Sequence, residues 1–282
     1  MGEQGSGFSG MSFRGASVAR AYDRGLVPVL FLPWARRLVA EHGPWAGRTV
    51  LDLATGTGVV ARELADAVGP DGAVVAVDLN AAMLALARER CAGGPQRADG
   101  TARVRFLESP AAPLALADAS VDVAVCQQGL QFFPDRAAAA AELNRVLRPG
   151  GPLVVTTWLP VERCVFFGAV CASCEALGLD AVSAKMRVPF DHVADGELPG
   201  LFEAAGFDAV REVEQADEMV FDDLEHAVRT AWATPIGADL EALPEAGREA
   251  FRAELAGRLE VSGDGRVRAL AATRLLTARR PG

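Results

Sequence analysis

Short apolar runs alternate along this chain with stretches whose apolar positions recur at helical spacing. Thr49–Leu53, Val74–Val77, Arg103–Leu107, Val121–Cys126 and Leu153–Trp158 read as five strands. Between them Gly58–Val68, Asn80–Arg90 and Asp135–Leu147 carry the helical period. The punctuation agrees: Gly69-Pro70-Asp71-Gly72 is a turn, Asn80 is a good helix cap, and Arg148-Pro149-Gly150-Gly151 is a helix stop. Strands alternating with helices of this length predict a parallel sheet covered on both faces.

The flanks follow other rhythms. Ser17–Glu41 is helical and broken near Pro28 and Pro33, where proline removes a backbone donor. After Trp158 come two helical stretches, Cys164–Leu177 and Glu197–Ala205, and then a strand-like Ala209–Ala216. Helical patterns return at Asp222–Trp232 and Asp239–Leu259, and Val267–Ala278 reads as a closing strand after the turn Gly263-Asp264-Gly265. Neither repeats nor a linker are visible, so residues 17–282 are expected to form one domain. Within it, 17–48 is an N-terminal helical lid, 49–158 the core, and 159–282 the substrate-pocket helices with the last two strands. Residues 1–16, glycine- and serine-rich from Gly2 to Gly10, are expected to be a disordered tail.

Composition narrows the function classes. A net charge of -9 argues against a nucleic-acid groove, which needs a basic face. No run reaches the roughly 18 apolar residues of a membrane span. Five cysteines in a long chain without a secretory leader read as free thiols of a cytoplasmic protein. Cys171-x-x-Cys174 has no second ligand pair, so it reads as packing on a helix, and no metal is expected.

The chemistry concentrates where the first two strands end. Gly56-x-Gly58-x-x-Ala61 follows a buried strand and opens a helix, and Asp78 closes the next strand twenty residues after Gly58. This layout builds a nucleotide-shaped pocket at the carboxyl edge of a parallel sheet. The glycines alone also satisfy the fingerprint of a nicotinamide-dependent oxidoreductase. Asp52 weighs against it: an acid four residues before Gly56 is unhelpful to a pyrophosphate and suited to a cationic amino group.

Leu51-Asp52-Leu53-Ala54-Thr55-Gly56-Thr57-Gly58, Val77-Asp78 with Met83, Asp118-Ala119-Ser120-Val121-Asp122 and Leu147-Arg148-Pro149-Gly150-Gly151 resemble four motifs of class I S-adenosylmethionine-dependent methyltransferases. The nearest branch is the small-molecule group that includes the ubiquinone and menaquinone methyltransferases. The resemblance covers about Thr49 to Trp158. It implies an α/β, Rossmann-like fold with a seven-stranded, mostly parallel sheet whose last strand is antiparallel, helices on both faces, and a helical insertion after the fifth strand. It also implies S-adenosyl-L-methionine as cofactor. Asp52, Ala54, Gly56 and Gly58 would hold its methionine part, Asp78 its ribose hydroxyls, and Leu79 and Met83 its adenine. Where the family has Gly-Asp after the third strand, this chain has Ser109-Pro110. Ser109 or the backbone amide of Ala111 is the expected substitute toward the adenine.

The loop after the fourth strand, Cys126 to Phe133, is expected to pass beneath the sulfonium and open onto the substrate. Gln127 and Gln131 there are candidates for cofactor or substrate contact. Tyr22 lies on a helix that the resemblance places over the site. His192 and His226 fall in the substrate-pocket region and are the candidate proton acceptors. The expected activity is in-line transfer of a methyl group to an O, N or C nucleophile of an apolar small molecule, a bacterial secondary metabolite. The alternative is a cofactor-binding fold repurposed for cyclisation or binding. Expected partners are a small-molecule substrate and a second copy packed on the N-terminal helix, with neither nucleic acid nor membrane.

Overall fold

The computed structural model describes residues 15–94, 103–191 and 193–282. The expected tail at Gly2–Gly10 and the candidate base His192 lie outside the described residues. Seven strands form one sheet in the order β3-β2-β1-β4-β5-β7-β6. β1 (Thr49–Leu53), β2 (Ala73–Asp78), β3 (Val104–Glu108), β4 (Val123–Gln127) and β5 (Pro152–Trp158) pair in parallel. β6 (Asp208–Phe221) and β7 (Val267–Arg279) complete the sheet, β7 antiparallel to its neighbours. The expected fold is therefore present, and the order reverses between β1 and β4. Such a switch point leaves a crevice at the carboxyl ends of the two strands that flank it.

The chain divides into two compact units. One comprises 32–157, 193–214 and 274–282, and holds the five parallel strands up to Thr157. Its core is built from the inward faces of β1, β2, β4 and β5 (Leu51, Val77, Ala124, Val155) together with Leu143 of α5 (Arg136–Val146) and Phe202 of α8 (Glu197–Ala204). Buried strands with apolar residues on both faces are what a covered parallel sheet requires. α3 (Val59–Ala67) and α4 (Ala81–Cys91) follow β1 and β2, and α2 (Leu32–Glu41) packs on α3. Arg274 of β7, fully buried, is ion-paired to Asp195 and lies 4.0 Å from Glu212 of β6.

The other unit comprises the chain up to Phe31, 158–192 and 215–273. It contains α1 (Ala16–Leu26), α6 (Val165–Ala176), α7 (Asp180–Asp191), α9 (Leu224–Thr230), α10 (Gly237–Glu241) and α11 (Glu245–Arg258). Its interior is aromatic. Trp158 meets Phe31, Phe167 and Phe190 at ring-centroid distances of 6.2, 5.9 and 5.6 Å, and Phe166 meets Phe221 at 5.1 Å.

Several boundaries differ from those read in the sequence. The stretch expected as one lid, 17–48, is shared between the units: α1 belongs to one and α2 to the other. The break at Pro28 is a π-helical turn, Val27–Phe31, and Pro33 follows it as the second residue of α2; such a turn is where a helix accommodates donors that proline removes. Asp239–Leu259 splits into α10 and α11 at Leu243-Pro244, since proline cannot continue a helix. α7 was not expected at all. Among the described residues no helix is long and apolar enough to cross a membrane, and no group of side chains could hold a metal ion.

Candidate functional site

The site is assembled on the first unit from the carboxyl ends of β1, β2 and β4. β1 delivers Asp52 one residue before its end, with 1% of its surface exposed. Thr55, three residues on, returns its hydroxyl to the acid: Oγ1 donates to Asp52 Oδ2 at 2.6 Å. The other oxygen, Oδ1, is buried without a hydrogen-bond partner. Burial pushes the Asp52 carboxyl up to about 7, against the lowering pull of the Thr55 hydroxyl and the nearby Ala61 N–H, and the neighbouring Asp78 adds to the rise. An acid so placed gains most from a cation that enters and meets the open oxygen.

The turn itself is built on left-handed backbone. Ala54, Gly56 and Gly58 have φ of 60, 56 and 79°. Gly58 caps α3, and a Cβ there would stand 3.0 Å from the Ala87 Cβ. At Gly56 a Cβ would meet nothing within 4 Å. Gly58 is thus required by conformation and packing, whereas Gly56 borders open space that a ligand can use.

Asp78 ends β2 and is held by backbone donors. The Gly56 N–H bonds Oδ2 and the Asn80 N–H bonds Oδ1, both at 2.8 Å. Burial nonetheless keeps its pKa above the ordinary carboxylate value. Helix capping is done by Asn80, whose Oδ1 accepts from the N–H groups of Ala82 and Met83. Asp78 is therefore free of that role, and each of its oxygens retains a lone pair for an incoming hydroxyl. Beside it Leu79 is 69% exposed, an uncovered apolar side chain, while Met83 is buried on α4.

Beyond β3, Ser109 is buried and occupied within its own loop. Its Oγ donates to Pro110 O at 3.0 Å and accepts from the Ala115 N–H at 3.4 Å. Its backbone N–H bonds Asp78 O at 3.1 Å, which ties the loop to β2. The loop is clamped from α5: Glu142 accepts the Leu114 N–H at 2.6 Å, and Arg145 donates to Leu114 O and Leu116 O.

The β4 loop brings three glutamines together. Gln127 is buried at the strand end, Gln128 has φ 55°, and Gln131 is fully buried. Cys126 beneath them is a thiol that burial raises to about 12, so it is no nucleophile at neutral pH. Gly129 approaches β1 so closely that a Cβ on it would lie 2.5 Å from the Ala54 Cβ.

The remaining candidates lie in the second unit. Tyr22 is half-buried and stacks on Phe31 with centroids 5.0 Å apart. His226 sits in the first turn of α9; its Nδ1 receives the Asp222 N–H at 3.3 Å and its ring packs edge-on to Phe221. Sequence reading missed Thr55, Gln128 and Gly129. The hydroxyl three residues after a buried strand acid was a usable signal for Thr55; nothing local marked the other two.

These residues fit a ligand with an ammonium, a diol and a flat apolar ring. Asp52 Oδ1, buried without a partner, would accept from the first, Asp78 from the second, and the exposed Leu79 would lie against the third. A family described as "Methyltransferase domain" matches residues 50–151, the span that carries all three. Nocamycin O-methyltransferase of Saccharothrix syringae is 32% identical over 239 residues, covering 80% of this chain and 82% of that protein. The chain belongs to the class I S-adenosylmethionine-dependent methyltransferases. A ubiquinone/menaquinone biosynthesis C-methyltransferase of Stutzerimonas stutzeri is 32% identical over 193 residues, covering 63% of this chain and 72% of that one. The solved phosphoethanolamine N-methyltransferase 2 of Haemonchus contortus shares the fold at a TM-score of 0.61 with 17% identity, covering 98% of this chain and 59% of its own. Oxygen, carbon and nitrogen acceptors are thus all named among proteins of this fold.

Proposed function

We propose that this enzyme methylates an apolar small molecule of secondary metabolism, with Asp52, Gly56 and Asp78 holding the cofactor. The observation that carries the substrate class is the turn after β4: Gln127, Gln128 and Gln131 are buried there without a formal charge, and Gly129 of the same turn stands against Ala54 of the cofactor-binding turn, which favours an uncharged acceptor. The -9 net charge favours a neutral or cationic partner over a polyanion. The name of the Saccharothrix relative, an O-methyltransferase of a natural product, supports the same reading.

When bound, S-adenosylmethionine supplies a methyl on a sulfonium: the acceptor's electron pair forms the new bond, the S–CH3 bond breaks, and sulfur keeps that pair as a neutral thioether. The chain's own contribution is placement. Asp52 fixes one end of the cofactor, Asp78 the sugar, and the β4 loop, through Gly129 against Ala54, sets the floor on which the acceptor approaches. Alignment of this kind removes about 7–11 kcal/mol of barrier. A base is needed only for an acceptor protonated at neutral pH. His226 has Nε2 to offer, its Nδ1 being engaged by Asp222.

The test is methyl-labelled cofactor incubated with an apolar metabolite extract of the producing cells. Label in an organic-soluble product, heavier than its precursor by one CH2, is the expected result. Cofactor binding with no labelled product returns the repurposed-fold alternative, and absence of cofactor binding removes both.

A further inference from the structure

The turn after β4 contains a pair of amides whose hydrogen bonding is half complete. Gln128 leaves the strand with its N–H donated to Thr156 O at 3.0 Å and to Thr156 Oγ1 at 3.2 Å, which pins it to β5. Gln131 folds back over it. Its Nε2 donates to Gln128 O at 2.9 Å and meets Gln128 Oε1 at 3.4 Å. A backbone carbonyl only accepts, so the Gln131 amide nitrogen must face it, and both amide orientations follow. Two atoms remain over: Gln131 Oε1, an acceptor, and Gln128 Nε2, a donor. Each is buried without a partner, in side chains that are 0% and 7% exposed.

An acceptor and a donor, held out of water on two amides that touch at 3.4 Å, narrow what can complete them. A carboxylate offers lone pairs only and is repelled by Gln131 Oε1. An ammonium offers protons only and leaves Gln128 Nε2 unmatched. A bare ring edge satisfies neither. A neutral hydroxyl does both, donating its proton to one amide and accepting from the other. The position suits an acceptor: the same turn presses Gly129 onto Ala54, at the head of the cofactor-binding turn. Admission of a ligand falls to the Gln128 side chain, which the 3.4 Å contact alone ties to Gln131 among the described residues.

We propose that Gln128 and Gln131 are the acceptor-recognition pair of this site and select a neutral phenolic or enolic hydroxyl on an apolar ring. This rests on the small-molecule methyl-transfer reading given above and narrows its substrate class.

The probes are β-naphthol, its methyl ether and β-naphthoate, titrated calorimetrically into protein saturated with S-adenosylhomocysteine. β-Naphthol is expected to bind at least about tenfold more tightly than either of the others, the cost of leaving one amide unmatched. Gln128→Met and Gln131→Met should abolish that preference while the Kd for S-adenosylhomocysteine stays within about twofold. Gln128→Met keeps the Gln131–Gln128 carbonyl bond, so its melting temperature should not fall, which separates recognition from folding. Equal binding of naphthol and ether, no binding of naphthol, or a preference that survives both variants overturns the proposal. In those cases undiminished binding of S-adenosylhomocysteine leaves the methyl-transfer reading standing; its loss in the wild type removes both.

Discussion

Gly129 and Ala54 meet across the switch point of the sheet: a Cβ on Gly129 would lie 2.5 Å from the Ala54 Cβ and 3.0 Å from Cys126 Sγ. Neither neighbour can give way. Ala54 is fixed by the left-handed backbone that ends β1, and Cys126 is fully buried in β4. Gly129→Ala is therefore expected to cost about 1–3 kcal/mol of stability by overpacking and to weaken cofactor binding by displacing the turn. Denaturant unfolding and titration with S-adenosylhomocysteine measure the two effects.

Gly56 and Gly58 should respond differently to the same substitution. Both have positive φ, so alanine at either costs about 1–2 kcal/mol of backbone strain. At Gly58 the Ala87 contact is added, and the larger loss of melting temperature is expected there. At Gly56 the new methyl enters open space, so stability changes less while cofactor affinity falls more. Equal loss of affinity in both would contradict the assignment of Gly56 to the ligand face.

Asp52 gives the protein a pH signature. Its folded-state pKa, about 7, lies above the ordinary 3.8. Between those values the folded chain keeps a proton that the unfolded chain releases, so this group's contribution to stability declines as pH rises, by up to about 1.4 kcal/mol per pH unit. Ligand affinity runs the other way. Pairing with an ammonium needs the carboxylate, so binding of S-adenosylhomocysteine should weaken as pH falls from about 7 to about 5. Asp52→Asn should flatten both dependences, read by melting temperature and calorimetry across that range.

Most of the sheet was legible because buried parallel strands leave uninterrupted apolar runs bounded by glycine; β1 matches its expected limits, and β2 to β5 lie within two residues of theirs. β6 was read as Ala209–Ala216 but extends to Phe221. As the edge strand it buries one face only, and Glu214, Asp217 and Glu218 interrupt the apolar pattern without interrupting the strand. α7 was missed although Ser183, Met186 and Phe190 are buried at helical spacing; Pro189 in the last turn disguised it. At the site, Asp52, Gly58 and Asp78 carry a spacing that motifs record. Gln128 and Gly129 carry their roles in three-dimensional closeness to Thr156 and Ala54, which no local pattern encodes.

The loop after β3 depends on α5. Glu142 accepts the Leu114 N–H, and Arg145 bonds Glu142, Asp118 and two loop carbonyls. Glu142→Ala should speed hydrogen exchange at Leu114 and cost about 1–3 kcal/mol, since it removes the bond to the Leu114 N–H together with the two-bond pair to Arg145. Slow exchange retained at Leu114 would show that the clamp is not what orders the loop.

The central claim is that the crevice beside β1 and β2 holds the cofactor's ammonium and sugar through Asp52 and Asp78. Calorimetric titration of S-adenosylhomocysteine into the wild type and Asp78→Asn tests it most directly. The account predicts micromolar binding to the wild type and a loss of about tenfold to a hundredfold in the variant. A dissociation constant unchanged by the substitution, in a variant that remains folded, would contradict it.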